Sequence, residues 1–531
     1  MANDGLHISE LAGGDILERI LAIACCSYLA QTVGMDNYMK AVQLAAVCQS
    51  WRRSANRLLS RVIIVQNVNA IPKNQRSVLA SAAKSRWVSN IGSIVAAGMS
   101  DRAKDMRVIG AFDTQGAVLD EVLESLGFSA GQWDNVRSIT FVGGIFSVGT
   151  ASVGEVAHSA CAYLGRRLPG LVEVDHTQLA AANSLQGVVS NMLIRHFLPQ
   201  LHTLHIWYPF PVVGLKCIPQ NVTKVRIDAS LLANLPKFPQ IPAPQLRQME
   251  IFELDGEFRW SMFASDPASS QAIFENLEEL KLEYSYGEPE SLSVIQDELQ
   301  MAFPKLRKLV VENVLMFYSD FYTLFHDSPL RSLELREYLD MLHDVDPQVI
   351  ARVHELHLII CDEDLNLSDM SYQDITKFFM TRSPVQHAEL LLGGLPLPIP
   401  EGILWSELRQ LTIETELIDW TGFARMLSQL PHLWSIEVLR STMVSPDEGP
   451  DVIVEGTDPI STSLQTFAIS SYALVLSASD VAWVRLLIER APVLMKLGLP
   501  PSYIERFEAY AEEAGKCIGV FEKQHFGTLY H

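Results

Sequence analysis

Asn276-Leu277-Glu278-Glu279-Leu280-Lys281-Leu282-Glu283-Tyr284 decides how the chain is read. Apolar residues fall at Leu277, Leu280 and Leu282, an order that suits a turn entering a strand whose alternate side chains face one core. One copy would describe any exposed strand. The spacing recurs, however, at Val136, Ile139 and Phe141; Leu201, Leu204 and Ile206; Val222, Val225 and Ile227; and Leu246, Met249 and Ile251. It continues at Leu306, Leu309 and Val311; Leu330, Leu333 and Leu335; Val353, Leu356 and Leu358; and Leu408, Leu411 and Ile413. Leu433, Ile436 and Val438, then Leu464, Phe467 and Ile469, then Leu494, Leu497 and Leu499 close the series, with poorer copies at Leu171/Val174 and Val385/Leu390.

The thirteen intervals from Val136 to Leu494 average about 28 residues, the period of a repeat that stacks one strand per coil. Between strands the chain supplies amphipathic helices, expected over Ser291–Phe303, Ser371–Met380, Trp420–Leu430 and Asp480–Arg490. Proline ends several of them just before the next strand, at Pro199, Pro304 and Pro431. Strand plus helix at this period closes a coil whose strands lie parallel on one side, with helices on the other. Upstream, Arg61–Val65 reads as a strand, Gln75–Ala97 as a long helical stretch, and Ala103, Met106 and Val108 as a faint copy of the triplet.

A chain of 531 residues exceeds one compact core, which fits either several domains or an elongated repeat. With 48% hydrophobic and 19% charged residues it is a folding sequence. A formal charge of −21 argues against a general nucleic-acid binder, which needs basic surface to displace counterions. No secretory signal is expected around Asp4 and Glu10, and the apolar stretch Ala473–Ile488 is too short and too charged to span a bilayer. The seven cysteines are scattered without a Cys-x-x-Cys pair and read as small buried apolar groups in a reducing compartment, cytoplasmic or nuclear.

The first sixty-five residues differ from the repeats. Ile8, Leu11, Ile16, Leu17, Ile20 and Leu21 recur at helical spacing, a second apolar helix runs from Tyr38 to Cys48, and a third carries Trp51, Ala55, Leu58 and Leu59. By periodicity alone this is a helical cap on a larger domain. The segment Ala45–Val65, with Val47-Cys48 and Trp51 ahead of a basic apolar helix, resembles the second half of an F-box, and Ile8–Ala24 resembles the first. Where that family has Leu-Pro, this chain has Leu11-Ala12. The resemblance implies a trio of helices that docks on the adaptor subunit of a Skp/cullin ubiquitin ligase through Leu11, Ile16, Leu17 and Ile20 of the first helix and Leu44 and Val47 of the second.

The repeats resemble the leucine-rich-repeat half of F-box proteins. The expected architecture is therefore α/β: an F-box-like helical trio over 1–65, a connecting segment over 66–135, an irregular leucine-rich-repeat solenoid over 136–500 and a C-terminal cap over 501–531. Parallel strands would line its concave side and helices its convex side. Cys361 supplies one of the Asn or Cys residues that the family places three positions after the last strand leucine; the other copies lack it.

With the second and third apolar residues of each copy in the core, the residues beside them face the concave side. His205, Trp207, Arg226, Glu250, Phe252, Lys281 and Glu283 form the candidate partner-binding set, with Trp207 and Phe252 as aromatic anchors. For each, the plain alternative is a solvated strand position. Catalytic motifs are poor matches. The run Val142–Thr150 lacks the lysine of a phosphate loop, and His354 and His357 lie three apart on a strand, without the His-Glu-x-x-His spacing of a metalloprotease helix. No catalytic residue, metal or cofactor is expected. The reading is a substrate-recognition subunit of an SCF-type ligase that binds an unidentified protein target, without nucleic-acid or membrane contact; the alternative is a repeat scaffold with no ubiquitin role.

Overall fold

The computed structural model describes residues 60–67, 87–109, 119–142, 153–177, 192, 194–206, 219–228, 243–254, 271–284, 300–312, 322–337, 345–360, 382–392, 397, 402–403, 405–415, 418–440, 459–471 and 475–522. The chain divides into two compact units, Met1–Gln240 and Ile241–His531. The stretch read as a helical trio lies outside the described residues up to 59.

In the first unit the strands are β1 (Val62–Asn67), β2 (Trp87–Ser89), β3 (Asp105–Ile109), β4 (Ser138–Val142), β5 (Glu173–Thr177), β6 (Thr203–Ile206) and β7 (Lys224–Asp228). β1, β3, β4, β5, β6 and β7 pair in succession, all parallel. Ile63 and Val65 of β1 and Met106 and Val108 of β3 are buried, so the ladder begins well before Val136. β2 interrupts the helix expected over Gln75–Ala97 and pairs antiparallel with β1. Asn90 ends it. Its side-chain oxygen accepts from the Ile64 N–H at 2.8 Å and its amide donates to Val62 O at 2.8 Å, which satisfies backbone groups that a neighbouring strand would otherwise take. Among the described residues of that stretch, Ile91–Ala96 is helical (α1); α2 (Leu119–Ser125) and α3 (Val153–Arg167) follow.

The second unit holds β8 (Gln248–Leu254), β9 (Gln271–Ile273), β10 (Glu279–Tyr284), β11 (Gln300–Ala302), β12 (Lys308–Glu312), β13 (Ser332–Glu337), β14 (Glu355–Ile360), β15 (His387–Leu391), β16 (Gln410–Thr415), β17 (Ser435–Arg440), β18 (Thr466–Ser471), β19 (Lys496–Leu499) and β20 (Gly519–Glu522). β8, β10 and β12 through β20 form one parallel succession. Within it the register aligns the triplets: Leu280 sits beside Met249 and Leu309, Leu282 beside Ile251 and Val311. These side chains are buried, each contributing roughly 1.5–3 kcal/mol of apolar transfer. Val385, Ala388 and Leu390 are also buried, which makes that poorer copy a complete rung with alanine at its centre.

The described helices of this unit are α4 (Pro347–Ile350), α5 (Trp420–Ser428), α6 (Ala478–Arg490) and α7 (Ile504–Glu513). α5 starts where Asp419 accepts from the Thr421 N–H, and α6 at a capping box between Ser477 and Asp480. Trp420 of α5 meets Phe467 of β18 and stacks on Trp483 of α6 at 4.9 Å, joining helices to the sheet core. The helix expected over Ser291–Phe303 does not reach its end: residues 300–302 are β11, paired in parallel with β9. Stacked Phe274 and Phe303, 5.0 Å apart, and a bond from the Phe274 N–H to Ala302 O fix that second small sheet.

Two devices set the rungs. At most steps of the ladders a backbone carbonyl just before the strand accepts from two successive N–H groups of the next coil: Arg307 O takes Arg331 and Ser332 at 2.8 and 2.9 Å, Arg331 O takes His354 and Glu355, and Gln386 O takes Arg409 and Gln410. One residue before the first apolar position, polar side chains reach back to the preceding coil: Asn135 to Asp101 O, Gln200 to Leu171 O, Asn276 to Pro244 O and Ser463 to Leu433 O. The turns entering the strands are thus tied by side chains placed before the leucine, a position the sequence pattern does not single out.

Candidate protein-binding face

The side chains between the buried triplet residues form the outer face of each sheet. In the second unit the register sets two rows: Glu250, Lys281, Val310, Glu334, His357, Glu389, Thr412 and Glu437 in one; Glu283, Glu312, Arg336, Ile359, Leu391, Glu414 and Leu439 in the other. Carboxylates dominate, and the bases among them are held by neighbours.

Lys281 is the centre of one group. Its Nζ lies 3.2 Å from Glu283 Oε2, 3.1 Å from Glu312 Oε2 and 5.1 Å from the centroid of the Phe252 ring. The expected aromatic anchor is therefore half-buried, with a cation over its face. Arg336 forks onto Glu334, with Nε at 2.9 Å and Nη2 at 2.8 Å from Oε1, and its Nη1 is 3.6 Å from Glu312. His357 Nδ1 is 2.7 Å from Glu389 Oε2. That hydrogen bond raises the imidazole above its ordinary range against an opposing effect of burial. Glu414 is also raised, first by burial and then by repulsion from Glu389. Toward β20 the face loses its charge, through Ala468, Ser470, Gly498 and Phe521.

The first unit corrects one assignment. His205 stands at a face position, but none of its surface is exposed, so it does not offer itself to a partner. Its Nδ1 is 2.8 Å from Asp175 and its Nε2 3.4 Å from Glu173. Burial pulls the imidazole down, and the two carboxylates outweigh it, so the net direction is upward. Arg226, one strand on, lies 3.8 Å from Asp175 Oδ2. Trp207, and the expected adaptor contacts Leu11, Ile16, Leu17, Ile20, Leu44 and Val47, lie outside the described residues, as does the Gly-rich run after Val142.

Sequence reading missed the partners that organise these groups: Glu389 and Arg336 in one unit, Glu173 and Asp175 in the other. For Glu389 and Arg336 the signal is register, since they stand beside His357 and Glu312 on the neighbouring coils, whereas Glu173 stands beside Thr203, two residues before His205. The two described cysteines also differ from one another. Burial pushes the Cys161 thiol up to about 12, as a buried apolar group requires, whereas Cys517 is exposed. Among the described residues, no cluster of three or more His, Cys, Asp or Glu side chains is disposed to hold a metal, and no helix is long and apolar enough to cross a membrane.

Fold and face together define an α/β protein of stacked parallel strands, compatible with a solenoid. No model of a known protein family matches the chain, and comparison with curated proteins finds no match either.

Proposed function

We propose that the chain is the substrate-recognition subunit of an SCF-type ubiquitin ligase, non-catalytic itself, working in the cytoplasm or nucleus. The observation that carries this reading is the F-box-like core Val47-Cys48 and Trp51, followed eleven residues after Trp51 by β1 and the parallel ladder. Leu11, Ile16, Leu17, Ile20, Leu44 and Val47 would contact the ligase adaptor, and the sheet faces, at Arg226 in the first unit and at Glu250, Phe252, Lys281 and Glu283 in the second, would hold a protein target. The mechanism is proximity: a bound target is kept near a ligase active site carried by another subunit, which turns a bimolecular encounter into a local one. Leu17→Asp combined with Val47→Asp abolishes co-purification with the adaptor and leaves the ladder folded; co-purification at the wild-type level overturns the ligase role.

A second reading is favoured by Leu11-Ala12-Gly13-Gly14, which stands where an F-box has Leu-Pro and lacks the proline that pre-sets entry to the first helix. The chain is then a protein-interaction scaffold whose helical head caps the repeats. Adaptor binding by the wild-type chain separates the two.

A further inference from the structure

Between Arg307 and Arg409 the carbonyl ladder of the second unit passes through three arginines, a histidine and one glutamine. Arg331 N–H donates to Arg307 O at 2.8 Å, His354 to Arg331 O at 2.8 Å, Gln386 to His354 O at 2.7 Å and Arg409 to Gln386 O at 2.8 Å. These residues therefore occupy equivalent positions on neighbouring coils, at the rim where the strands begin. Arg352 and Arg382 stand on the adjoining turns of the same stretch. Arg307, Arg331, Arg352, Arg382 and Arg409 are all exposed, and among the described residues none makes a side-chain hydrogen bond or ion pair. Carboxylates do lie nearby on the turns, at Asp327 and Glu407, and Glu355 begins β14, yet none is paired with these guanidinium groups.

The contrast with the sheet face is the informative feature. There Lys281 and Arg336 are both held by glutamates. In a chain of net charge −21, a cluster of exposed arginines without side-chain partners stands out as surface that an anionic partner would neutralise. We infer that this rim binds an extended acidic peptide segment of a partner protein, laid across the strands from Arg307 to Arg409.

Dimensions fit that occupant. Neighbouring strands lie about 4.8 Å apart, so the four steps from Arg307 to Arg409 span roughly 19 Å, which about six extended residues cover. The guanidinium fork takes carboxylates two oxygens at a time. A peptide is also narrow enough to stay on the rim. A nucleic-acid duplex is not: it would extend over Glu312, Glu334, Glu389 and Glu414, which stand further along the same strands and would repel it.

The test uses the full chain and a fluorescent octapeptide of alternating Glu and Asp, followed by anisotropy. The wild-type chain binds it, binding weakens steeply as salt rises, and Arg307→Glu with Arg331→Glu lowers affinity by roughly tenfold or more. Unchanged circular dichroism and melting in the variant show that the loss is local, and Arg425→Glu, an exposed charge reversal on α5, leaves peptide affinity intact. Absence of binding, equal binding by the double variant, or tighter binding of a single-stranded oligonucleotide than of the peptide each overturns the proposal.

Discussion

Trp420 and Asp480, 60 residues apart in sequence, meet through a 3.1 Å hydrogen bond from the indole N–H to the carboxylate, both groups buried. The same aspartate accepts from the Ser477 N–H and so also closes the capping box of α6. One side chain thus fixes the start of α6 and its distance from α5, two coils earlier.

Removing that carboxylate therefore loses more than one interaction. Asp480→Ala costs roughly 1–3 kcal/mol in urea unfolding, because it removes the cap and strands a buried indole N–H. Combined with Trp420→Phe, which deletes the donor, the two losses sum to less than their separate values by about 0.5 kcal/mol or more. Strict additivity would show that the hydrogen bond contributes nothing.

Leu280 and Lys281 are neighbours with opposite environments. Leu280→Ala opens a cavity in the ladder core and costs about 2–5 kcal/mol. Lys281→Met removes two partly exposed ion pairs, and costs about 1 kcal/mol or less, fading in high salt. Reversed sensitivities in denaturant titrations would mean that the two faces of β10 had been exchanged.

The His357–Glu389 pair gives a signed pH dependence. The imidazole binds its proton more tightly when folded, so its contribution is complete below the ordinary value of about 6.5 and is lost as pH rises through the folded value. Glu389→Gln lowers the His357 pKa in an NMR titration. Glu414 works the other way for its charge: its raised carboxyl resists ionisation, so stability declines as pH rises above about 4.5 through its folded value. Glu414→Gln accordingly stabilises the protein at pH 7, and the gain vanishes at acid pH; an equal gain at both would remove ionisation as its cause.

Gly498 lies under the Phe521 ring. A Cβ there would come within 2.7 Å of Phe521 Cζ and 2.9 Å of Ala468 Cβ. The ring, 38% exposed, can swing aside, but Ala468 is fixed in β18. Gly498→Val loosens β20 by about 1–3 kcal/mol, read as faster amide exchange at Val520, whereas Leu280→Ala leaves that exchange untouched until global unfolding.

The parallel ladder was legible because apolar spacing alone assigns a face: Leu277, Leu280 and Leu282 are buried and Lys281 and Glu283 lie opposite. What covers that face was not legible. His205 obeys the alternation and is nonetheless sealed in, because Glu173 and Asp175, one coil earlier, close on it where β5 and β6 share only the Glu173–Thr203 rung. Phe252 is half-covered for a similar reason, by a lysine from β10. β11 was read as the end of a helix because its three residues carry too little pattern to reveal a parallel partner in β9, which only the folded chain brings beside it.

The paired carbonyl bonds before each strand have a consequence for how such a chain tolerates change. Arg307 O, Arg331 O and Gln386 O each grip two consecutive amides, so the coils that follow them are counted afresh from their predecessors, whatever number of residues lies between. A connector lengthened by several residues carries no phase error into the next strand, whereas one residue deleted between Leu330 and Leu333 would turn that strand inside out. Coils of unequal length can therefore share one ladder, and the unequal spacing of the leucine triplets marks where the connectors have been free to drift.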